Sequence, residues 1–346
     1  MFALRVPTAT AAPSQTGRRR LGRALFGATL GTTLGGSPAV AQPAPDSLRL
    51  IHGFAPTSAI DLVCRTLAEQ LHGQLAPNVS VEYKAGAAGR IAVTALRRTR
   101  VVPDHATMLV TPGSVLTMLP HADRQRIYDP FQDLEPVCTL ARSAVALVAG
   151  RSLPGSLRSF DQFVAWCRWH PDAPPCGNAG VGSYPHLFAV LIEQQLRIEL
   201  QHIPYRDEVP ALRAVAGGEI PVAIASESNA LPFIRAGLLR VLATSGPKRS
   251  RFLPSAPTFA ESGHDKLAQR EWIGVFMPAG SSDARVWANA DAIGIALRET
   301  DLRDVLLRLS YDPDLSTPEA LRETLRGDYE FWGPVVQSSG LPPTRS

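Results

Sequence analysis

Hydrophobic side chains along this sequence switch repeatedly between a period of two residues and a period of about 3.6. Residues 47–54 (SLRLIHGF) alternate apolar and polar positions, which predicts a half-buried strand. After the predicted N-cap Ser58, apolar residues recur at helical spacing: Ile60, Val63, Cys64, Leu67 and Leu71. Strands predicted at 79–83 and 107–111 enclose a second helix that ends near Leu96. This βαβαβ order indicates a mostly parallel sheet flanked by helices.

The same alternation continues to the end of the chain, without an internal repeat or a low-complexity linker. The sequence predicts further strands at 144–149, 175–179 and 200–203, and helices at 159–169, 284–309 and 318–336. At roughly 150 residues per domain, 346 residues predict two domains. A hydrophobic fraction of 45% excludes a disordered chain. We therefore predict an α/β protein whose two lobes enclose a cleft.

Three predicted turns from a strand into a helix are candidates for holding a ligand. They lie at 55–58, 111–114 and 179–183, and they carry small or hydroxyl side chains that let a ligand approach the backbone. In α/β sheets, ligands bind beyond the carboxyl ends of the strands, where helix N-termini present their amides. The alternative for each turn is an ordinary capped helix start.

The net charge of the chain is concentrated at one end. The sequence has 35 Lys and Arg against 31 Asp and Glu, which gives a formal charge of +4. Residues 1–41 hold five arginines and no acidic residue, so 30 basic and 31 acidic residues remain in the rest. No basic run interleaved with aromatic residues occurs in that part. The charge pattern therefore argues against nucleic-acid binding.

Residues 1–41 have the three parts of an export signal. Residues 18–20 are arginines, residues 21–34 are apolar, and residues 39–41 (AVA) match the small-x-small cleavage pattern. We expect a signal peptide that is cleaved near Ala41. The paired arginines also fit the twin-arginine route. The alternative is a basic tail without a targeting role.

The four cysteines, Cys64, Cys138, Cys167 and Cys176, all lie in the expected mature protein. In an oxidising compartment, Cys167 and Cys176 are the nearest candidates for a disulfide. Buried free thiols are the alternative, and sequence alone does not decide between the two. The spacing of Cys167, His170 and Cys176 matches no metal site, so we expect no metal.

Motifs for catalysis and for phosphate binding are missing from the sequence. A Walker loop, GxGxxG and HExxH do not occur. Residues 180–183 (GVGS) lack the GxSxG pattern of a hydrolase elbow. His186 follows Ser183 by three residues, so a hydrolase that uses this pair is an alternative, but a polar cap that faces a ligand is favoured. We expect no enzyme and no cofactor.

Eight segments in a fixed order carry a resemblance to a known family. They are GFAPTSAIDLVCR, YKAGAAGRIA, PDHATMLVT, YDPFQDLEPV, GNAGVGSYPHL, HIPYRDEVPALRAVAGGEI, IRAGLLRVLATSGPKRSRFLPSAPTFAESG and EWIGVFMPAG. In this order the chain resembles the Bug family, the periplasmic solute-binding proteins of tripartite tricarboxylate transporters. The resemblance covers about residues 47–340.

The resemblance implies a two-lobed periplasmic binding protein of the type II-like, Venus-flytrap kind. Lobe 1 would combine residues 47–142 with 270–346, and lobe 2 would be residues 143–269. Such a monomer would close on a small organic acid or amino acid. It would deliver this ligand to a membrane permease or serve a sensor. A degenerate binding protein that acts as a protein-interaction module is the remaining alternative.

The family also implies where the ligand binds. Its contacts come mainly from loop amides, hydroxyls and bridging waters. The matching positions here are Pro56, Thr57, Ser58, Asp61, Thr111, Pro112, Ser114, Gly180, Gly182, Ser183, His186, Tyr205, Arg206 and Ser226.

Three departures from the family pattern bear on the ligand. The first loop has Thr57 and Ser58 after Pro56, where the family usually has two glycines, and Arg90 replaces a typical Asn. Asp207 and Glu208 follow the PYR triplet, where Gly is usual. Two acids there repel an anion unless they point outward. A ligand with an amino group, or one small monocarboxylate, is therefore favoured over a standard dicarboxylate. Arg206 is either a carboxylate partner or part of a surface ion pair.

Overall fold

The structure, a computed structural model, describes residues 45–102, 105–122, 127–170 and 172–341. Within these ranges eleven strands and eleven α-helices follow one another, with three short 3-10 helices. The predicted signal peptide lies outside the described residues.

Two sheets contain all the strands of the described chain. The strands are β1 Ser47–His52, β2 Asn78–Tyr83, β3 His105–Pro112, β4 Leu134–Ser143, β5 Val145–Ala149, β6 Pro175–Asn178, β7 Gln201–Pro204, β8 Val222–Ser226, β9 Arg240–Thr244, β10 Glu271–Pro278 and β11 Asp312–Pro313. The first sheet has the order β11-β4-β10-β3-β1-β2, and the second has the order β7-β6-β8-β5-β9.

Helices cover these sheets. They are α1 Ala59–Leu71, α2 Arg90–Arg97, α3 Gly113–Thr117, α4 Leu119–Ala122, α5 Phe160–Trp169, α6 Tyr184–Leu196, α7 Glu208–Gly217, α8 Glu227–Arg235, α9 Asp283–Arg298, α10 Thr300–Arg308 and α11 Pro318–Ser338. The 3-10 helices are Ala87–Gly89, Ala260–Ser262 and Asp265–Leu267. The predicted α/β class with flanking helices is confirmed.

Both sheets are mixed, with a parallel and an antiparallel part. β1 runs parallel to β2 and β3, as the βαβαβ pattern predicts, and β6 runs parallel to β7 and β8. β10 is antiparallel to β3 and β4, and β5 is antiparallel to β8 and β9. The antiparallel pairs involve the strands that carry the chain between the sheets. β4 ends at Ser143 and β5 begins at Val145, so the chain passes from the first sheet to the second at Ala144.

Two strands that the hydrophobic pattern did not reveal are β4 and β10. Both are almost continuously buried, so their residues do not alternate between apolar and polar. A strand that is covered on both faces has no period of two. The predicted helix at 284–309 is two helices, α9 and α10, because Glu299 adopts an extended conformation (φ −67°, ψ 150°) between them.

Each sheet has its own hydrophobic core, and α11 contributes to both. Leu321 and Leu325 pack with residues of the first sheet, whereas Trp332 and Val336 pack with residues of the second. Trp272 and Trp332 are 1% and 2% exposed, as expected for core residues. The four cysteines are free and buried, which favours the thiol alternative over a disulfide.

Candidate functional site

A cavity of about 600 Å³ is lined by turns that follow strands of both sheets. Its lining includes part of each predicted ligand turn. The predicted site residues that line the cavity are Ser58, Pro112, Ser114, Gly182, Ser183 and Ser226. The other predicted residues lie on the same or neighbouring turns but are not part of its lining.

The first turn is held in shape by the buried carboxylate of Asp61. Its Oδ1 is 3.1 Å from Nε2 of His52, and its Oδ2 accepts hydrogen bonds from Thr57 N and Arg65 Nε. Burial raises the pKa of Asp61, but the hydrogen bonds from Arg65, Thr57 and His52, together with the charge of Arg65, outweigh burial and bring that pKa below its ordinary value. Ser58 caps helix α1 by accepting from Asp61 N. Asp61 therefore orders the turn and is not part of the cavity wall.

Thr57 adopts a conformation that normally requires glycine. Its φ is 69°, in the left-handed region. A β-branched residue in this region is strained. Both Thr57 and Pro56 are exposed, outside the cavity lining. The two-glycine pattern of the family at this turn thus corresponds here to a strained threonine.

The segment that precedes α2 is also left-handed. Ala87 and Ala88 have φ values of 48° and 55°, between Gly86 and Gly89. Nε of Arg90 donates to the carbonyl oxygen of Ala87. Arg90, which replaces the family's typical Asn, therefore braces this strained segment, and Ala88 lines the cavity.

The third turn is organised by His186. Its Nδ1 accepts a hydrogen bond from Gly182 N, and its own backbone N donates to Oγ of the N-cap Ser183. Burial, with a contribution from the nearby His202, lowers the pKa of His186 to about 4, so its ring is neutral at pH 7. Gly180 and Gly182 both have a φ of 83°, which suits glycine. No hydrogen bond between Ser183 Oγ and the His186 ring occurs in the described chain.

Three other predicted residues, Thr111, Tyr205 and Arg206, lie outside the cavity lining. Thr111 is 1% exposed at the end of β3. Tyr205 N donates to the carbonyl oxygen of Asn178, and so joins the end of β7 to β6. Arg206 is exposed, and within the described ranges it forms no ion pair with Asp207 or Glu208.

Comparison with known proteins places this architecture in a family. A family model described as "Tripartite tricarboxylate transporter family receptor" matches residues 63–341. The chain belongs to this receptor family. Its members are periplasmic solute-binding proteins and not enzymes, and the Ser183–His186 geometry likewise lacks a nucleophile–base contact.

Individual relatives of the receptor cover most of its length. Protein BugT of Bordetella pertussis is 27% identical over 298 residues, which is 85% of this chain and 89% of that protein. A solved periplasmic transporter is 26% identical, has a TM-score of 0.71, and covers 86% of this chain and 98% of its own. MatC from Rhodopseudomonas palustris, solved with bound malate, is 23% identical and has a TM-score of 0.69. The match covers 84% of this chain and 98% of MatC. The predicted two-lobed binding-protein fold is thereby confirmed.

The receptor's cavity has more acidic than basic side chains. Asp207, Glu208 and Glu271 line it, and Arg308 is the basic residue among the lining residues that the structure describes. Asp207 caps α7 by accepting from Glu208 N. Sequence reasoning singled out Asp207 and Glu208 but missed Glu271. The sequence feature that points to Glu271 as a cavity residue is its position as the one acidic residue at the start of the apolar run EWIGVFMP.

Glu208 and Glu271 are each bonded to a backbone amide. Glu271 Oε1 accepts from Ser114 N at 2.9 Å, and Glu208 Oε2 accepts from Ser226 N at 2.9 Å. Burial raises the pKa of Glu271 to about 7 and also raises the pKa of Glu208, although hydrogen bonds lower both. Burial and the charges of Glu271 and Glu208 raise the pKa of Tyr311, which lines the same cavity. The charges of both carboxylates thus raise the pKa of the same phenol, that of Tyr311.

In the described parts of the receptor no group of histidine, cysteine and acidic residues is able to hold a metal ion. No helix in these parts is long and apolar enough to cross a membrane.

Proposed function

We propose that this receptor captures a small carboxylate-containing metabolite, an organic acid or an amino acid, between its two lobes. The observation that carries this proposal is a cavity of about 600 Å³ that is lined by strand-end turns of both sheets. Its volume falls within the roughly 300–1,000 Å³ of small-molecule sites. The malate bound to MatC, a protein of the same fold, supports an acid as one part of the ligand.

Ligand contacts are proposed for the predicted residues that line the cavity. Ser58 and Ser183 are the N-cap residues of α1 and α6, and the first amides of these helices suit a carboxylate. Pro112, Ser114, Gly182 and Ser226 complete this set. The remaining predicted residues hold or flank the turns, and we propose a supporting role for them: Pro56, Thr57, Asp61, Thr111, Gly180, His186, Tyr205 and Arg206.

The receptor is proposed to work as an exported monomer that delivers its ligand to a tripartite tricarboxylate-type permease or to a sensor. Lobe 1 would comprise residues 47–142 and 270–346, and lobe 2 residues 143–269. Export would depend on the signal at residues 1–41. N-terminal sequencing of the exported protein checks this step, with Gln42 expected as the first residue.

Ligand capture is tested first by mass spectrometry of the small molecule that co-purifies with the receptor. After unfolding and refolding to remove it, adding that molecule back at about 100 times Kd should stabilise the protein by about 2.7 kcal/mol. Ser183→Trp should abolish this stabilisation because the indole occupies the part of the cavity beside the third turn. Ser156→Trp, at an exposed position away from the cavity, is the matched control. Unchanged affinity in Ser183→Trp would exclude the third turn from the site.

Closure of the lobes separates solute capture from the protein-interaction alternative. Small-angle scattering should show a smaller radius of gyration when the ligand is added to the refolded receptor. A radius that stays constant while a partner protein binds would favour the interaction module.

A further inference from the structure

Two carboxylates from opposite sides of the cavity occupy amides that a ligand acid would need. Glu271, at the start of β10 in the first sheet, takes Ser114 N, and Glu208, at the start of α7 beside the second sheet, takes Ser226 N. A ligand carboxylate placed at these amides finds them already bonded. It also meets two groups that become negative when they ionise, which disfavours a second anion there.

Glu208 has one oxygen without a donor. Its donors are Ser226 N, Ser226 Oγ and Asn229 Nδ2, and all of them bond to Oε2. Within the described ranges, Oε1 accepts no hydrogen bond. A carboxylate in a half-buried site is stabilised by hydrogen bonds to both oxygens, and charged N–H donors form the strongest ones. No described side chain of the cavity wall donates to Oε1, so this oxygen is open to a donor that a ligand brings into the cavity.

Tyr184 is a second polar group of the cavity wall whose hydrogen-bonding capacity the described chain does not use. It lines the cavity and is 8% exposed, and its hydroxyl has no hydrogen-bond partner in the described parts of the chain. Buried hydroxyls are normally bonded. Burial and the charge of Glu271 raise the pKa of Tyr184, so the phenol stays protonated at neutral pH and can donate. A ligand that has both an acceptor and a donor satisfies Tyr184 and Glu208 together.

Building on the proposed function, we propose that the ligand carries a positively charged nitrogen that binds Glu208 and Glu271, in addition to its carboxylate. The receptor then selects an amino acid over the plain acid of the same length. Arg308 is exposed at the cavity and has no ion pair in the described chain, so it is available to the ligand's carboxylate. Charge-assisted hydrogen bonds between ammonium and carboxylate supply the selectivity.

Ligand binding should then depend on pH. In the empty site the pKa of Glu271 is about 7, and a cation favours the ionised carboxylate. Affinity for an amino ligand therefore falls as the pH is lowered from 8 to 6. The other titratable groups that face the two carboxylates are Asp328, Tyr184 and Tyr311 near Glu271, and Asp207 and Tyr311 near Glu208. Tyr184 and Tyr311 stay protonated over this range because their pKa values are raised.

The test uses pairs of probes that differ only by an amino group, measured by isothermal titration calorimetry on refolded, ligand-free receptor. The pairs are propanoate with alanine, succinate with aspartate, and glutarate with glutamate. In the pair that binds, the amino member should bind about tenfold more tightly or better. If the acid binds equally or more tightly, the proposal is wrong and the proposed function stands.

If none of the probes binds, the proposal is tested on the small molecule that co-purifies with the receptor. A basic nitrogen in that molecule supports the proposal, and its absence overturns it. If no probe binds and no molecule co-purifies, both this inference and the proposed function fail.

Two variants assign the preference to the carboxylates. Glu208→Gln and Glu271→Gln should each reduce the preference for the amino member about tenfold and flatten its pH dependence. Glu227→Gln is the matched control, because Glu227 is also buried with a pKa of about 7 but lines a different cavity. Variants that fold normally and keep the full preference would overturn the proposal.

Discussion

Two residues beside the cavity are in unfavourable environments: the carboxyl group of Glu271 is buried, and the backbone of Thr57 is left-handed. A carboxyl group with a pKa near 7 has lost hydration through burial, and a threonine with a φ of 69° has a backbone that glycine would adopt more easily. Both features are destabilising in the empty protein. Such features are commonly found at functional sites. Each therefore gives a stability prediction that can be measured without knowing the ligand.

Thr57→Gly should stabilise the empty receptor. The left-handed conformation costs a non-glycine residue about 1–2 kcal/mol, and the greater freedom of glycine in the unfolded chain offsets about 0.5–1 kcal/mol of the gain. We expect the free energy of unfolding to rise by about 0.5–1 kcal/mol in urea denaturation. Thr57→Ala is the control, since alanine keeps a side chain at the same φ. A glycine variant less stable than the alanine variant would contradict the strain.

Glu271→Gln should change how the stability of the empty receptor depends on pH. The folded-state pKa of Glu271 is raised from 4.5 to about 7. Between pH 4.5 and pH 7 the folded protein therefore keeps a proton on Glu271 that the unfolded chain has lost. The wild type consequently loses stability as the pH rises from 5 to 7.5. Each pKa unit corresponds to about 1.4 kcal/mol, and partial exposure reduces the total to about 2 kcal/mol. The variant should be the more stable protein at pH 8 by this amount and should match the wild type near pH 4.5. If the melting temperatures of the wild type and Glu271→Gln differ by the same amount at pH 5 and at pH 8, the raised pKa of Glu271 is not the cause of the difference.

The sequence pattern predicts the helices and strands that have one solvent-exposed face. The helix α1, its cap Ser58 and the strands β1 to β3 follow the predicted order, because each keeps a visible period. β4 and β10 were missed because burial on both faces removes that period. Small residues and hydroxyls predict the three turns, and parts of all three line the cavity. Glu271 was not recognised, since it comes from an antiparallel strand that only tertiary pairing brings beside Ser114.

Close contact between two turn segments gives a prediction at this scale. A Cβ on Gly53, just after β1, would lie 2.4 Å from Cα of Gly89, just before α2. Because both partners are backbone, the segments must separate to admit a methyl group. Gly53→Ala should lower the free energy of unfolding by about 2–3 kcal/mol. Gly155→Ala, where nothing lies within 4 Å, is the control and should behave as the wild type in the same denaturation experiment.

Across the whole molecule, the two cores are joined by more than the crossings of the chain. Met118 of the α3–α4 segment and Trp332 of α11 pack in the core of the second sheet, whereas Leu321 and Leu325 of the same α11 pack in the core of the first. A helix that is shared in this way couples the stabilities of the two cores, because unfolding one exposes apolar surface of the other. We therefore expect the wild-type receptor to unfold in a single cooperative transition.

Trp332→Ala should break this coupling. Trp332 is 2% exposed and packs edge-to-face on Tyr184 with ring centroids 5.5 Å apart, so its removal costs about 3–5 kcal/mol in the second core while leaving the Leu321 and Leu325 contacts in place. Differential scanning calorimetry should then show two transitions, with the calorimetric enthalpy exceeding the van't Hoff enthalpy. Leu325→Ala is the matched control in the same helix, since it weakens the first core and keeps the tryptophan contact. A Trp332→Ala profile that shifts to lower temperature as one two-state transition would show that the coupling runs through the chain crossings rather than through α11.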